Sequence, residues 1–307
     1  MGFSIVFFNV LIMLLYLLCG FVLVKTKKSE ASHAKSISGF LIYICGPCMV
    51  INAFQTMERS KEITKNIGKF FIASLLVQLL FFAVLYLIFH KKYEQASYRI
   101  LCAGAMFGNV GFLGLPLVTA LFPEEPIVAC YSSTYVFSMN LLVFTIGVYL
   151  ITKEKKYISL RSALVNPTSI AIYFALPMYL LGIHIPARFE EGIALLGKMT
   201  TPICMLVLGM RLASVRLKSV FTRKFAYVGM LLKLVAFPLF AFGVVSMFPF
   251  FDRTFRTCVL VLSATPSAAI VLSLAEFHEC EQELCANVVL LTTLFCIVSL
   301  PLLLLIP

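Results

Sequence analysis

The chain has 307 residues, of which 61% are hydrophobic and 13% are charged, and its mean hydropathy is +1.00. This composition lies far outside the range of soluble globular proteins and predicts an all-α integral membrane protein without a soluble domain. The net charge of +11 comes from Lys and Arg residues scattered between apolar segments, a distribution that does not favour a nucleic-acid partner.

Ten apolar segments are long enough to cross roughly 30 Å of hydrocarbon as helices. They lie at residues 4–24, 36–56, 67–89, 99–121, 127–151, 165–183, 192–213, 223–248, 255–276 and 283–306. The sequence therefore predicts ten transmembrane helices that contact the lipid bilayer and are joined by short loops.

The positive charges of the loops predict a multi-pass protein of the cytoplasmic membrane with both termini extracytoplasmic. In that orientation the cytoplasmic loops hold Lys25, Lys27, Lys28, Lys35, Lys91, Lys92, Arg99, Lys153, Lys155, Lys156, Arg161, Arg211, Arg216, Lys218, Arg223 and Lys224. The extracytoplasmic loops hold half as many, namely Arg59, Lys61, Lys65, Lys69, Arg188, Lys198, Arg253 and Arg256.

The two halves of the chain resemble each other at an offset of about 156 residues. Identical residues at that offset are Asn9 with Asn166, Pro47 with Pro202, and Arg99 with Arg256. We therefore predict a first repeat at residues 1–151, a cytoplasmic connecting loop at 152–164 and a second repeat at 165–307. Because each half holds an odd number of spans, the repeats would insert in opposite orientations, as is common in secondary transporters.

Two of the predicted spans contain helix-breaking residues. Span four includes residues 108–116, Gly-Asn-Val-Gly-Phe-Leu-Gly-Leu-Pro, and span nine includes residues 263–269, Ser-Ala-Thr-Pro-Ser-Ala-Ala. An unsatisfied backbone group in hydrocarbon costs several kcal/mol, so a broken helix is tolerated where it lines a polar cavity. We expect the two breaks to face each other near the middle of the membrane.

The motifs in these spans resemble those of the auxin efflux carrier family, which includes the plant PIN-FORMED carriers and bacterial members and lies within the bile acid, arsenite and riboflavin transporter superfamily. The spacing of Asn109, Gly114 and Pro116 is similar to the fourth-helix motif of that family. Residues 265–271 are similar to its ninth-helix motif, and Asn166 followed by proline is similar to the start of its sixth helix. The resemblance covers nearly the whole chain.

The resemblance implies a five-plus-five inverted repeat in which helices four and nine cross at their breaks, with the substrate bound beside the crossing. It also implies a scaffold domain and a transport domain, each drawn from both repeats, an elevator-like exchange between inward and outward states, and a homodimer. Leu272 stands where the plant carriers have a second proline, and their long central loop is absent. A small organic acid is therefore expected rather than auxin.

The residue types at the crossing favour an anion. The half-helices after the two breaks should direct positive dipole ends of about half a charge at it. Asn109 can donate two hydrogen bonds to a carboxylate, although its side chain could instead cap the second half-helix. Lys233 lies roughly 13 Å beyond Lys224 along its helix, a depth at which charge indicates function. It could neutralise a substrate carboxylate or hold the transport domain together against Gln78.

The complete candidate substrate site consists of Asn109, Gly114, Pro116, Thr265, Pro266, Ser267, Asn140, Asn287 and Lys233. Asn140 and Asn287 are included because the resemblance places the fifth and tenth helices beside the crossing. The single aspartate, Asp252, lies in a loop, and no carboxylate lies near the middle of a span. Neither a metal site nor a cofactor is predicted, and coupling to protons or to sodium stays open.

Two alternatives to an organic-anion transporter follow from the sequence and its resemblance. Cys45-Gly46-Pro47-Cys48 has the spacing of a thioredoxin-like active site and would suit a membrane-embedded thiol oxidoreductase. Its position within a span instead favours a proline kink between two buried thiols. The second alternative is a sodium-coupled symporter of the bile-acid type. The transporter hypothesis predicts that the chain is not an enzyme.

Overall fold

A computed structural model of the protein describes residues 2–214 and 223–306. Within these residues the regular structure is helical, apart from one isolated antiparallel bridge between Gly108 and Ser267. Arg216 and Lys218, which contribute to the predicted cytoplasmic charge, lie outside the described residues. The all-α class predicted from composition is confirmed.

We number the principal helices of the described residues in chain order. They are α1 (Gly2–Lys25), α2 (Ala31–Gln55), α3 (Lys61–Phe89), α4 (Ala96–Met106), α5 (Val110–Leu121), α6 (Ile127–Thr152), α7 (Pro167–Leu181), α8 (Ala187–Ala213), α9 (Lys224–Ser246), α10 (Arg253–Ser263), α11 (Ala269–Phe277) and α12 (Gln282–Leu303).

Eight of these helices are long and apolar enough to cross a membrane, counting α7 together with the turns that precede it from Lys155. They coincide with eight of the ten predicted spans. The other two predicted spans are each divided into two shorter helices, α4 and α5 in span four and α10 and α11 in span nine. The predicted interruptions are therefore present. The total of ten crossings stays a prediction, since no half-helix is long enough to cross alone.

The break in span four lies at Gly108, before the later glycines and the proline of its motif. Helix α4 ends at Met106, the backbone is extended at Phe107, and α5 begins at Val110. Gly114 and Pro116 therefore belong to α5, and the predicted break occupies the start of the stretch of residues 108–116. The first turn of α5 is a wide π-helical turn, and this turn accommodates the proline.

Such wide turns accompany prolines at three places in the described helices. Each turn ends two residues before a proline: Leu41–Cys45 before Pro47, Val110–Gly114 before Pro116, and Leu232–Ala236 before Pro238. A proline lacks the N–H group, and its ring collides with the carbonyl four residues earlier. Widening the preceding turn moves that carbonyl away, so the helix continues with a local distortion.

Helices α1 and α8 cross at two glycines. A Cβ atom placed on Gly20 would overlap the carbonyl of Leu206, and one placed on Gly209 would overlap the carbonyl of Leu17. The backbones of the two helices therefore touch with no room for a side chain between them, a packing mode that is common between membrane helices.

The helices form two packing groups. Helices α1, α2, α7 and α8 pack on one another, through the pairs α1 with α8, α2 with α7 and α2 with α8. In the second group α3 packs on α6, α9 on α10 and α12, and α4 on α6 and α12. Contacts between the groups run mainly through α1, which touches α5 and α12, and through α2, which touches α6.

Gly209→Ala should destabilise the protein, because the added methyl group must push α1 away from α8. Overpacking of this kind costs about 1 to 3 kcal/mol, which corresponds to a fall of roughly 2 to 10 °C in the midpoint of thermal unfolding of the purified protein in detergent. The matched control is Gly243→Ala in α9, where an added Cβ meets nothing within 4 Å. Equal midpoints for the two variants would contradict the tight crossing.

Candidate functional site

The two helix breaks are joined by their own backbones. The amide of Asn109 donates to the carbonyl of Pro266 at 2.7 Å, and the amide of Ala268 donates to the carbonyl of Phe107 at 2.9 Å. These antiparallel bonds surround the bridge between Gly108 and Ser267. They pair backbone groups that a broken helix would otherwise leave unsatisfied within the membrane.

Ser267 fastens this crossing to two neighbouring helices. Its hydroxyl donates to the carbonyl of Gly104 in α4 at 2.7 Å, and its amide donates to the hydroxyl of Thr292 in α12 at 3.0 Å. The Thr292 hydroxyl in turn donates to the carbonyl of Val288. Ser267 is 2% exposed, so its bonds hold the crossing from inside the bundle.

Asn109 lies at the break with 7% of its surface exposed. Its carbonyl accepts the amides of Leu113 and Gly114 and so starts α5. Its side chain makes no capping bond to that helix, and instead its amide nitrogen lies 3.8 Å from the sulfur of Cys204 in α8. Because a thiol is a weak acceptor, a carboxylate could replace it as the partner of this amide.

Lys233 reaches the crossing from α9 and is completely buried. Its ammonium donates to the carbonyl of Ser263 at 2.9 Å and lies 4.6 Å from the centroid of the Phe237 ring. A Cβ atom on Gly108 would come within 2.9 Å of the Lys233 nitrogen and would overlap the Thr265 hydroxyl. Lys233 and Thr265 therefore both border the backbone of the first break.

The alternative partner considered for Lys233 makes other bonds. Gln78 in α3 donates its amide hydrogens to the carbonyl of Ser74 at 2.9 Å and to the hydroxyl of Ser138 in α6 at 3.1 Å. These three buried residues join α3 to α6 rather than to α9.

The glycine and proline of the span-four motif shape α5. A Cβ atom on Gly114 would lie 2.8 Å from Leu262 and 3.1 Å from the methyl group of Thr265, so this position permits α5 to approach the end of α10. Thr265 is fully buried, and its hydroxyl donates to the carbonyl of Leu262. Pro116 is half-buried and lies further along α5.

The two remaining candidate residues lie on helices that flank the crossing. Asn140 in α6 donates to the side-chain oxygen of Asn166 at 3.5 Å, and the same oxygen caps α7 by accepting the amide of Ser169. Asn287 is fully buried in α12, next to Val288, whose side chain lies against Gly104. The structure thus brings Asn109, Gly114, Lys233 and residues 265–267 together, and it directs Asn140 toward the start of α7.

Sequence reasoning missed two residues of this region. Cys204 contacts Asn109, and Ser263 supplies the carbonyl that accepts the Lys233 ammonium. Cys204 lies two residues after Pro202, which the repeat pairs with Pro47. The repeat therefore drew attention to this segment of α8 but did not predict its contact with Asn109. Ser263 contributes its backbone carbonyl, and a contact of that kind cannot be predicted from the residue type.

The ionisable side chain that the described residues place at the crossing is Lys233, a base rather than a carboxylic acid. In the described part of the chain, ion pairs join Lys153 to Glu94, Lys156 to Glu154, Arg211 to Glu276, and Arg223 to Glu283, and none of them includes Lys233. Asp252 caps α10 at the end opposite Ser263 by accepting the amide of Phe255. The same residues contain no group of three or more His, Cys, Asp or Glu able to hold a metal ion.

Comparison with known proteins extends over both halves of the chain. A family model described as "Membrane transport protein" matches residues 5–159 and 152–304. An uncharacterized transporter of Methanocaldococcus jannaschii is 26% identical over 297 residues, which cover 93% of this chain and 94% of that protein.

Ser267→Ala should lower stability, because it removes a buried hydroxyl and leaves the Gly104 carbonyl without that donor. The loss should be about 1 to 3 kcal/mol, seen as a lower midpoint of thermal unfolding. The matched control is Ser299→Ala in α12, since the Ser299 hydroxyl has no hydrogen-bond partner among the described residues. If both variants unfolded at the wild-type temperature, Ser267 would not be fastening the crossing.

Proposed function

The chain belongs to the membrane transport protein family, and from this premise we propose that it is a secondary transporter that carries a small organic anion, a carboxylate, across the cytoplasmic membrane. The family match and the transporter relative identify a multi-pass membrane transporter and not an enzyme, and they agree with the resemblance to auxin efflux carriers. The proposed substrate site is the crossing of the two broken helices.

The observation that carries this proposal is the pairing of the two breaks. The bonds of Asn109 and Ala268 bring the starts of α5 and α11 to the same place inside the bundle. Helix starts carry partial positive charge and backbone N–H groups that favour an anion. In membrane transporters, paired half-helix starts of this kind commonly face anionic substrate groups.

Side-chain charge supports the same choice of substrate. Lys233 provides a buried ammonium at the crossing, and the ion-paired carboxylates of the described residues lie elsewhere. The Asn109 amide provides neutral donors with a weak thiol partner, so a carboxylate could accept from it without displacing a strong bond. An organic cation would have no counter-charge here.

The burial of the site supports alternating access. Asn109, Lys233 and residues 265–267 are each less than 10% exposed, so a substrate reaches them only after the surrounding helices have moved. Asn109 belongs to the packing group of α3 to α6 and α9 to α12, whereas its neighbour Cys204 belongs to the group of α1, α2, α7 and α8. We assign the first group to the moving transport domain and the second to the scaffold of an elevator-like mechanism.

The proposal includes the organisation expected from the sequence. The repeats of residues 1–151 and 165–307 would be inverted, the loop of residues 152–164 would be cytoplasmic, and two copies would form a homodimer. The proposed outward orientation of both termini follows from the positive charge of the loops.

Asn109→Ala should reduce carboxylate transport by about ten- to a hundredfold, the effect of losing a hydrogen bond to a charged group. The measurement uses proteoliposomes under an imposed potential and a panel of labelled carboxylic acids, with and without pH and sodium gradients. Asn52→Ala in α2 is the matched control, because Asn52 lies in the proposed scaffold. The proposal fails if wild-type protein moves no organic anion or if Asn109→Ala transports normally.

Cys45→Ser and Cys48→Ser should each retain transport within about twofold. Both residues lie beside the proline distortion of α2, in the proposed scaffold, and serine has nearly the same size as cysteine. Cys45 is buried and Cys48 is half-buried, and neither forms a disulfide. The same uptake assay provides the measurement. Loss of transport in both single variants would contradict this prediction and would give the two thiols a role that the proposal does not include.

A further inference from the structure

We propose that Arg253 and Arg256, at the start of α10, bind the phosphate of an anionic phospholipid. An open cavity of about 220 Å³ lies beside them, between α9 and α10, and its other walls are Phe242 and Phe251. Arg256 precedes Ser263 by seven residues, or roughly 10 Å of helix, and the side chains of a helix lean toward its start, away from the crossing. The lipid site is therefore separate from the proposed substrate site and does not depend on it.

The two arginines lie on one face of α10. The helix begins at Arg253, and Arg256 follows three residues later, a spacing that places both side chains next to each other on the first turn. A guanidinium group matches the geometry of a phosphate and can bind it through two parallel hydrogen bonds. Two guanidinium groups beside one cavity thus provide more donors than a single phosphate needs.

Arg256 has hydrogen-bond donors that the described residues do not use. Both of its bonds come from one terminal nitrogen, Nη2, which donates to the carbonyls of Phe248 and Pro249 at 3.3 Å. Its buried Nε has no partner there. Arg99, which the repeat pairs with Arg256, instead donates through Nε to the carbonyl of Leu150 at 2.9 Å. An anion in the cavity would supply acceptors for the unused donors of Arg256.

The carboxylates closest to these arginines along α10 and its neighbours have other partners. Asp252, one turn before Arg256, accepts the amide of Phe255 and caps α10. Glu125 accepts the hydroxyl of Thr254 at 2.9 Å. Among the described residues, Arg256 forms an ion pair with neither of them. Its charge is therefore available to an anion from outside the protein.

The aromatic walls of the cavity favour a lipid over free phosphate. The ring of Phe251 stacks on Phe255, with centroids 4.0 Å apart, and lies 4.5 Å from the ring of Phe250. Phe250 is exposed, and the ammonium of Lys69 in α3 lies 5.9 Å from its centroid. Aromatic rings beside cations are typical of the membrane–water interface, and clustered cations attract anionic headgroups. The glycerol and upper acyl chains would pack on Phe242 and Phe251, which inorganic phosphate cannot do.

The first test measures the midpoint of thermal unfolding of the purified, delipidated protein in detergent. Phosphatidylglycerol should raise the midpoint by about 2 to 6 °C, because a ligand that binds the folded state stabilises it. Phosphatidylcholine, and sodium phosphate at matched ionic strength, should each raise it by less than half as much. An equal rise with phosphatidylcholine would overturn the anionic preference, and an equal rise with sodium phosphate would overturn the lipid assignment.

Arg256→Gln should abolish the rise that phosphatidylglycerol causes. Its midpoint without lipid should also fall, because two loop carbonyls lose their donor, so the readout is the difference between the midpoints with and without lipid. The matched control is Arg188→Gln, since Arg188 is exposed in the first turn of α8, next to Phe189, and lies outside this cavity. A full rise in Arg256→Gln, or its loss in Arg188→Gln, would overturn the inference. If Arg256→Gln does not fold, Arg253→Gln provides the same comparison.

Native mass spectrometry provides a direct second readout. Wild type incubated with equal amounts of phosphatidylglycerol and phosphatidylcholine should retain mainly phosphatidylglycerol. The Kd for that lipid should rise at least about tenfold in Arg256→Gln and in Arg253→Gln, the effect of losing hydrogen bonds to a charged group. Unchanged retention in both variants would overturn the inference. Neither readout involves transport, so the lipid site can fail while carboxylate transport stands, and the reverse.

Discussion

The backbone pairing of residues 107–109 with residues 266–268 is the interaction on which the rest of the structure depends. A transmembrane helix can be unwound only if the exposed N–H and C=O groups find partners, because lipid offers none. Here the two breaks satisfy each other, through Asn109 with Pro266 and Ala268 with Phe107. If one span alone were interrupted, its free N–H and C=O groups would stay unpaired in lipid, which costs several kcal/mol for each group. The bonds of Ser267 to α4 and α12 then fix the pair within the surrounding helices.

The pairing also gives the crossing two chemically different sides. On one side the end of α10 presents the Ser263 carbonyl, which is held by the Lys233 ammonium. On the other side the Asn109 amide lies against Cys204 of α8, where the two packing groups meet. A basic side chain and an available amide thus lie within one buried region. This combination is the reason for proposing an anion. The burial of the site between the two packing groups is the reason for proposing that they move relative to each other.

Hydropathy was sufficient to predict the eight long helices and the all-α class, since a membrane-spanning helix must be apolar along about 20 residues. Pro266 and the glycines of span four correctly indicated two interrupted helices. They located the first break only to within residues 108–116, because Gly114 and Pro116 fit within α5 once its first turn widens. The site contacts were predicted less well. Lys233 was identified by its depth, but its partner is a backbone carbonyl, and Cys204 meets Asn109 only through long-range packing.

The most direct measurement of the central claim is an experimental structure of the protein with a transported carboxylate bound. The account predicts a carboxylate within hydrogen-bond distance of the Asn109 side chain, beside the starts of α5 and α11 and within reach of the positive charge of Lys233. The backbone bonds between residues 107–109 and 266–268 should persist in that structure. A carboxylate held by other helices, with the crossing closed and unchanged, would contradict the account.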